Sequence, residues 1–489
     1  MGLAASTSST ESATSATLTE VAVQPIVPGR FRDQILNEDA WPALADTFER
    51  ARTLLEGRVV WNISSRARSG GLGDLVRSMT AFARGGGVDA RWHVLDASAD
   101  FYRLAKRLHN NLHGFNDHTP GYGAAERALY EATVGGRIDL TAVKPGDLVV
   151  LHDPQTAGIV PAAKVRGAAV IWRCHVGLDA PNDVARGAWR FLAPYLEHAD
   201  AYVFSRRQFL WERLDQAKAS VIRPSLNVLS PKNQDLSPET VAAILASTGI
   251  QPDEYGDPLY ARLDGSPGRV DRRSDLLGTA PLPPAVPLLL QVSHWNHLKD
   301  PAGLVRFYAR EVADQCDVHL LIAGPPAAAV KDEPEAERVL ADTREAWMQL
   351  PDDMRARVHL AAVPTDDPQE GAAIINALQR RATVVVQNSR GEGFGMTLLE
   401  AMWKRRPVVC TRVGGLQEQV VNGVTGYLID VDDARSAGQA ILALLADPEQ
   451  RERMGEAARQ RVQADFLLPR EAVDWTNVIV HLIAPRGEG

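Results

Sequence analysis

Two glutamates, Glu392 and Glu400, bracket a glycine-rich turn in the run Asn388-Ser389-Arg390-Gly391-Glu392-Gly393-Phe394-Gly395-Met396-Thr397. Carboxylate oxygens accept hydrogen bonds, which suits them to the hydroxyl groups of a sugar or a ribose. Residues 382–386 (Ala-Thr-Val-Val-Val) precede the turn and read as a short, fully buried parallel strand. Residues 396–404 follow it and predict a helix with one apolar face. A strand, a glycine turn and a helix start form a natural phosphate site, because orphan N–H groups and the positive end of the helix dipole point at the same spot. The two carboxylates can then touch different parts of one extended ligand.

These residues need a scaffold, and the totals bound it. A chain of 489 residues is too long for one compact core and predicts two or three domains. A formal net charge of −8 argues against non-specific nucleic-acid binding. The three cysteines, Cys174, Cys316 and Cys410, are scattered without metal-like spacing and read as buried thiols in a reducing compartment. No apolar run approaches the roughly 20 residues of a membrane span. Residues 1–20 are rich in Ser, Thr and Ala and lack the basic start and apolar block of a signal peptide. A disordered tail over 1–25 and a cytoplasmic location are expected.

Strands alternate with helices throughout, which points to an α/β chain with two doubly wound parallel sheets. Residues 26–225 form a first Rossmann-like domain. Residues 226–287, with a Gly/Pro/Asp/Arg-rich run after 251, read as a linker or insertion between domains. Residues 288–468 form a second Rossmann-like domain, and 469–489 a closing helix.

Within the first domain, the strand 59–63 leads into the glycine loop Ser69-Gly70-Gly71-Leu72-Gly73-Asp74, which opens a helix expected over 75–83. The strand 148–151 ends in His152-Asp153-Pro154-Gln155, and the strand 168–172 ends in Arg173-Cys174-His175. Polar residues at the carboxyl ends of parallel strands are where ligands sit in open α/β sheets. The second domain opens with the strand 288–292, followed by Ser293-His294-Trp295-Asn296-His297-Leu298-Lys299.

The segment Glu392 to Glu400 resembles the paired-glutamate signature of retaining glycosyltransferases with the GT-B fold. His-Asp-Pro-Gln followed by Trp-Arg-Cys-His resembles, more specifically, the glycosyltransferring trehalose synthases. This resemblance spans nearly all of 59–482. It implies a cleft between two facing domains that takes a nucleotide-diphosphate sugar, and a closing helix that crosses back to the first domain. It implies His175, Lys299 and Glu392 as the catalytic group, with His175 beside the donor hydroxymethyl and Lys299 on the diphosphate. It implies donor binding by Gly71, Gly73, His294, Lys299, Glu392, Gly393, Phe394, Gly395, Met396, Thr397 and Glu400, the last toward the ribose. His152, Asp153, Gln155 and Arg173 would line the acceptor side. Neither a metal nor another cofactor is implied, since lysine and backbone N–H groups carry the leaving-group charge.

One position departs from the resembled pattern, with His294 standing where an arginine beside the lysine is usual. The altered charge keeps open a natural-product glycosyltransferase acting on a cyclitol, amine or thiol, a trehalose phosphorylase-like enzyme, or a silent sugar-nucleotide-binding protein. The expected partners are a nucleotide sugar and a small polar acceptor, without nucleic acid. Oligomeric state is left open, with a homodimer as one option.

Overall fold

The computed structural model describes residues 16–35, 40–65, 71–116, 121–136, 138–252, 256–277, 279–329 and 333–483. The first domain is built on a seven-stranded sheet: β1 (Thr17–Glu20), β2 (Val60–Ser64), β3 (Ala90–Asp96), β4 (Leu148–His152), β5 (Ala169–Cys174), β6 (Ala201–Phe204) and β7 (Ala219–Val221). Its spatial order is β1-β3-β2-β4-β5-β6-β7, parallel except for β1. A hairpin, β8 (Leu259–Ala261) and β9 (Pro267–Arg269), follows in the insertion. The second domain carries β10 (Leu288–Val292), β11 (His319–Gly324), β12 (Val358–Ala362), β13 (Val384–Gln387), β14 (Val408–Thr411) and β15 (Tyr427–Ile429). These are parallel in the order β12-β11-β10-β13-β14-β15. Leu-Val-Val-Leu-His in β4 and Leu-Leu-Leu-Gln-Val in β10 are buried at every position, as strands covered on both faces require.

Each sheet reverses its strand order once, between β2 and β4 in the first domain and between β10 and β13 in the second. Ligands of open α/β sheets bind outside the carboxyl ends of strands at such a reversal. The two reversals face one another across the cleft between the domains, so the topology places the site.

One expectation is corrected. The expected disordered tail over 1–25 gives way at 17–20 to β1, which pairs antiparallel with β3 from Thr17 opposite Asp96 to Glu20 opposite His93. The strand is four residues long and draws its order from the open edge of β3, a tertiary partner that local composition does not reveal. The segment 226–287, expected as a linker or insertion, is an insertion docked on the second domain. Its helix Pro238–Ser247 packs against the helix Pro368–Arg381 of the second domain. Glu370 of that helix accepts hydrogen bonds from the backbone N–H groups of Asp271 and Arg272, both at 2.7 Å, and pairs with the Arg272 guanidinium. Asn376 Nδ2 donates to the carbonyls of Pro231 and Gln234 at 3.0 and 2.8 Å.

The glycine loop is shorter than expected. The helix runs Gly71–Gly85, so Gly71 and Gly73 lie in its first turn, while Ser69 and Gly70 fall outside the described residues. The chain crosses between the domains at two adjacent points, where Leu226 N donates to Phe466 O at 2.7 Å. The closing helix Leu468–Ile483 then packs on the first-domain helices Ala40–Leu54 and Gly71–Gly85. Among the described residues no helix is long and apolar enough to cross a membrane.

Candidate active site

The turn after β13 has the conformation its glycines permit. Gly395 has φ +92°, the left-handed region, and stands directly before the helix Met396–Trp403. At Gly393 the demand is close approach, since an added Cβ would sit 2.5 Å from the carbonyl oxygen of His175 on the opposite domain. Gly71 lies equally close to Met396, its own Cβ position being 2.9 Å from Met396 Cγ. The amino ends of the helices Gly71–Gly85 and Met396–Trp403 therefore meet at the cleft, and both present orphan N–H groups and positive dipole ends.

The turn after β10 delivers the cation. Asn296 Oδ1 accepts from Lys299 N at 3.1 Å, and Gln291 Nε2 donates to Lys299 O at 3.1 Å. Arg390 N donates to Leu298 O at 2.7 Å and ties this turn to the one after β13. The Lys299 ammonium pairs with Glu392, whose carboxylate also accepts from Ser389 Oγ at 3.3 Å. Glu400 lies one helical face away, 3.7 Å from the Lys232 ammonium and 3.3 Å from Gln379 Nε2. Lys232 reaches on to Asp74 of the first domain at 2.5 Å.

A cavity of about 210 Å³ occupies the cleft, and its walls include Gly71, Asp153, Gln155, His175, His294 and Lys299. Glu392, Gly393, Phe394, Gly395, Met396 and Thr397 complete its second-domain side. A contiguous cavity of about 150 Å³ holds Glu400, Lys232 and Asp74 and shares Gly71, His294, Met396 and Thr397. His294 is thus between the two, with Nδ1 3.7 Å from Glu333 Oε1.

On the first-domain side the strand ends divide. Asp153 adopts φ +63°, and its Oδ1 accepts from His175 N at 2.7 Å. The Arg173 guanidinium is turned away from the cleft and is only 1% exposed. Its Nε donates to His175 Nε2 at 3.0 Å, and its Nη2 pairs with Glu471 of the closing helix at 3.2 Å. Ser225 Oγ donates to the other Glu471 oxygen at 2.6 Å. Because His175 Nε2 accepts, the neutral ring carries its proton on Nδ1, which lies 3.2 Å from Ser205 Oγ. His152 stacks on His175 with ring centroids 5.9 Å apart. His152 and Arg173, expected on the acceptor side, do not line the cleft cavity and instead line a separate one behind it. Arg173 and His175 share one face of the chain, and both nitrogen-bearing groups of Arg173 that form bonds are spent on protein partners. Gly73 is buried and does not line the cleft.

Burial first, and then the Arg173 charge, hold His152 down to about 3. Burial, then Arg173 and His152, push His175 well below its ordinary value. His113, which sequence reading passed over, lines the cleft beside His109 and is held to about 3, mainly by burial and then by the Lys299 charge. Its Nδ1 lies 3.0 Å from Gly177 O, which it meets as a donor. The i, i+4 spacing of His109 and His113 does not mark a site, being as common among structural residues. Glu333 likewise had no signal in the sequence. It reaches the cleft through a buried ion pair with Lys106 at 2.6 Å, formed between the two domains.

Residues 62–211 match a family model described as trehalose synthase, N-terminal domain, and residues 368–461 match one described as glycosyl transferases group 1. A trehalose synthase of Rubrobacter xylanophilus is 31% identical over 85% of this chain and 88% of its own length. The chain belongs to the trehalose synthase family. A second member, from Pyrococcus horikoshii, is 29% identical over 87% of this chain and 90% of its own. Among solved structures, an α,α-trehalose-phosphate synthase (UDP-forming) from Burkholderia vietnamiensis superposes with a TM-score of 0.61 at 13% identity, covering 87% of this chain and 98% of that one. An Anabaena protein in complex with UDP and glucose superposes at 0.52 with 13% identity, covering 84% and 96%. The fold is GT-B, and the chain is a trehalose synthase-like glycosyltransferase.

Proposed function

We propose that this glycosyltransferase moves a hexose from a nucleoside-diphosphate sugar to a small polar acceptor, with retention at the anomeric carbon. The observation that carries this reading is the meeting of Lys299, Glu392 and two helix amino termini at facing strand-order reversals. The bond from the anomeric carbon to the diphosphate oxygen breaks, and negative charge grows on that oxygen. Lys299 and the N–H groups of Met396 and Thr397 are placed to receive it, so in this reading the protein itself supplies the positive charge. Glu400, with Lys232 beside it, takes the ribose hydroxyls in the contiguous cavity. Asp153 and Gln155 stand on the acceptor side. Family membership makes a second hexose the acceptor to try first. Uridine is the base to try first, in line with the UDP-forming and UDP-bound neighbours.

Thermal unfolding with a panel of nucleoside diphosphates, nucleotide sugars and inorganic phosphate tests the reading, since a ligand of the folded state alone raises the midpoint. One nucleotide raising it clearly identifies the donor class, and the anomeric configuration of the product then reports retention. No shift with any nucleotide would sink the proposal, and a shift with inorganic phosphate alone would replace it with phosphorolysis.

A further inference from the structure

A second cavity, of about 90 Å³, lies away from the cleft. It is enclosed by the first-domain sheet, the helices Ala40–Leu54 and Gly71–Gly85, and the closing helix. Most of its wall is apolar, supplied by residues such as Leu55, Val76, Phe82 and Ile479. Its floor is not. Three polar atoms there have no protein partner: Thr80 Oγ1, His152 Nδ1 and Arg173 Nη1. The three side chains are 1%, 4% and 1% exposed. A buried polar atom without a hydrogen bond costs about 1–3 kcal/mol, so three in one small cavity call for an occupant.

The chemistry of the floor selects it. His152 Nε2 lies 3.2 Å from Asn62 Oδ1 and donates to it, which leaves Nδ1 as an acceptor. Arg173 Nη1 is a donor. A hydroxyl group satisfies both at once. Glu471 in the same wall repels an anion, and Arg173 repels a cation. Water on the floor would face hydrocarbon on its remaining sides. A cavity of about 150 Å³ accommodates benzene, with its six heavy atoms, so this one, at about 90 Å³, suits a molecule of about three to four heavy atoms.

We propose that this cavity is a binding site for a small neutral molecule with an apolar body and one hydroxyl group, which donates to His152 Nδ1 and accepts from Arg173 Nη1 and the Thr80 hydroxyl. The occupant would touch the guanidinium that orients His175 and the closing helix that joins the domains, and so act on the cleft from behind. The inference stands on this cavity alone and does not depend on the donor assigned to the cleft.

Ligand-observed NMR titration with propan-2-ol, propane and ethylene glycol tests it on the full chain. Propan-2-ol is expected to bind saturably, with the other two at least about tenfold weaker, one hydrogen-bonded hydroxyl being worth that order. Ala472→Leu on the closing helix fills the cavity and should abolish the saturable signal. Thr80→Val keeps the volume, removes one polar atom and should weaken binding about two- to tenfold, which preserves the test where the filled variant folds poorly. Equal binding of propane, undiminished binding in Ala472→Leu, or a soaked crystal holding only water in the cavity would each overturn the proposal.

Discussion

The two sheets present their polar strand ends to different places. In the second domain, the residues after β10 and β13 turn outward into the cleft, where Lys299 meets Glu392. In the first domain, the residues at the ends of β4 and β5 split. Asp153, Gln155 and His175 line the cleft, while His152 and Arg173 lie behind it, under the closing helix. The difference teaches that one strand end performs two tasks. Adjacent side chains point to opposite faces, which parts His152 from Asp153 at the end of β4, whereas Arg173 and His175 share a face and divide because Arg173 lies inside β5 and His175 beyond its end. The second domain fastens its site through loop-to-loop backbone bonds. The first fastens it through a buried ion pair, Arg173 with Glu471, supplied by a helix from the far end of the chain.

The largest way to break this contrast is Glu471→Ala. It leaves the Arg173 charge buried and uncompensated, and about 3–5 kcal/mol of stability should be lost in urea unfolding. Replacing both partners, Arg173→Met with Glu471→Leu, should cost far less. Equal losses would mean that packing rather than charge holds the helix.

On the other side of the cleft, Lys299→Ala should lower the rate of sugar transfer about 10²–10³-fold, the scale of losing one charge-stabilising donor. Its stability should change little, because the lysine is near the surface of the cleft. Product formation and urea unfolding measured together separate the two, and a normal rate would remove Lys299 from the chemistry.

The pH dependence sharpens the contrast further. His113 and His152 stay neutral in the folded chain down to about 3, and His175 is also well below 6.5, whereas in the unfolded chain each binds a proton near 6.5. Between those limits the unfolded state holds more protons, so stability falls as pH drops below 6.5 and is unaffected by these groups above it. The slope is at most about 1.4 kcal/mol per pH unit for each histidine. Chemical denaturation at several pH values checks this, and His152→Gln should lower the slope by one histidine's share.

The smallest expected effect is at His294. Replacing it with arginine adds a permanent charge beside the diphosphate position and should tighten nucleoside-diphosphate binding by up to about tenfold in calorimetry. An unchanged affinity would mean that the position does not contact the donor. Glu333, 3.7 Å away, is the group that an arginine there would also meet.

Much of the site was legible in the residues themselves. The turn from Glu392 to Thr397 announces itself because glycine, helix start and carboxylates are contiguous, and a local motif depends on local geometry. The apolar runs at β4, β10 and β13 likewise mark strands, because burial on both faces leaves a continuous apolar signature. Lys232, Glu333, His113 and Glu471 were not legible in this way. Each reaches its place from a distant part of the chain, and nothing in its own neighbourhood distinguishes it from a surface charge or a structural histidine. β1 was missed for the same reason, its order being borrowed from the edge of β3.

The sequence by itself determined two doubly wound sheets and the glycine turn, because backbone preference and burial pattern act over a few residues. Only the tertiary structure decided which polar residues face the cleft, that Arg173 bonds His175 and Glu471 behind it, and that the insertion is docked on the second domain. Those outcomes depend on desolvation and on pairing between charges far apart along the chain, and such energies exist only once the chain has folded.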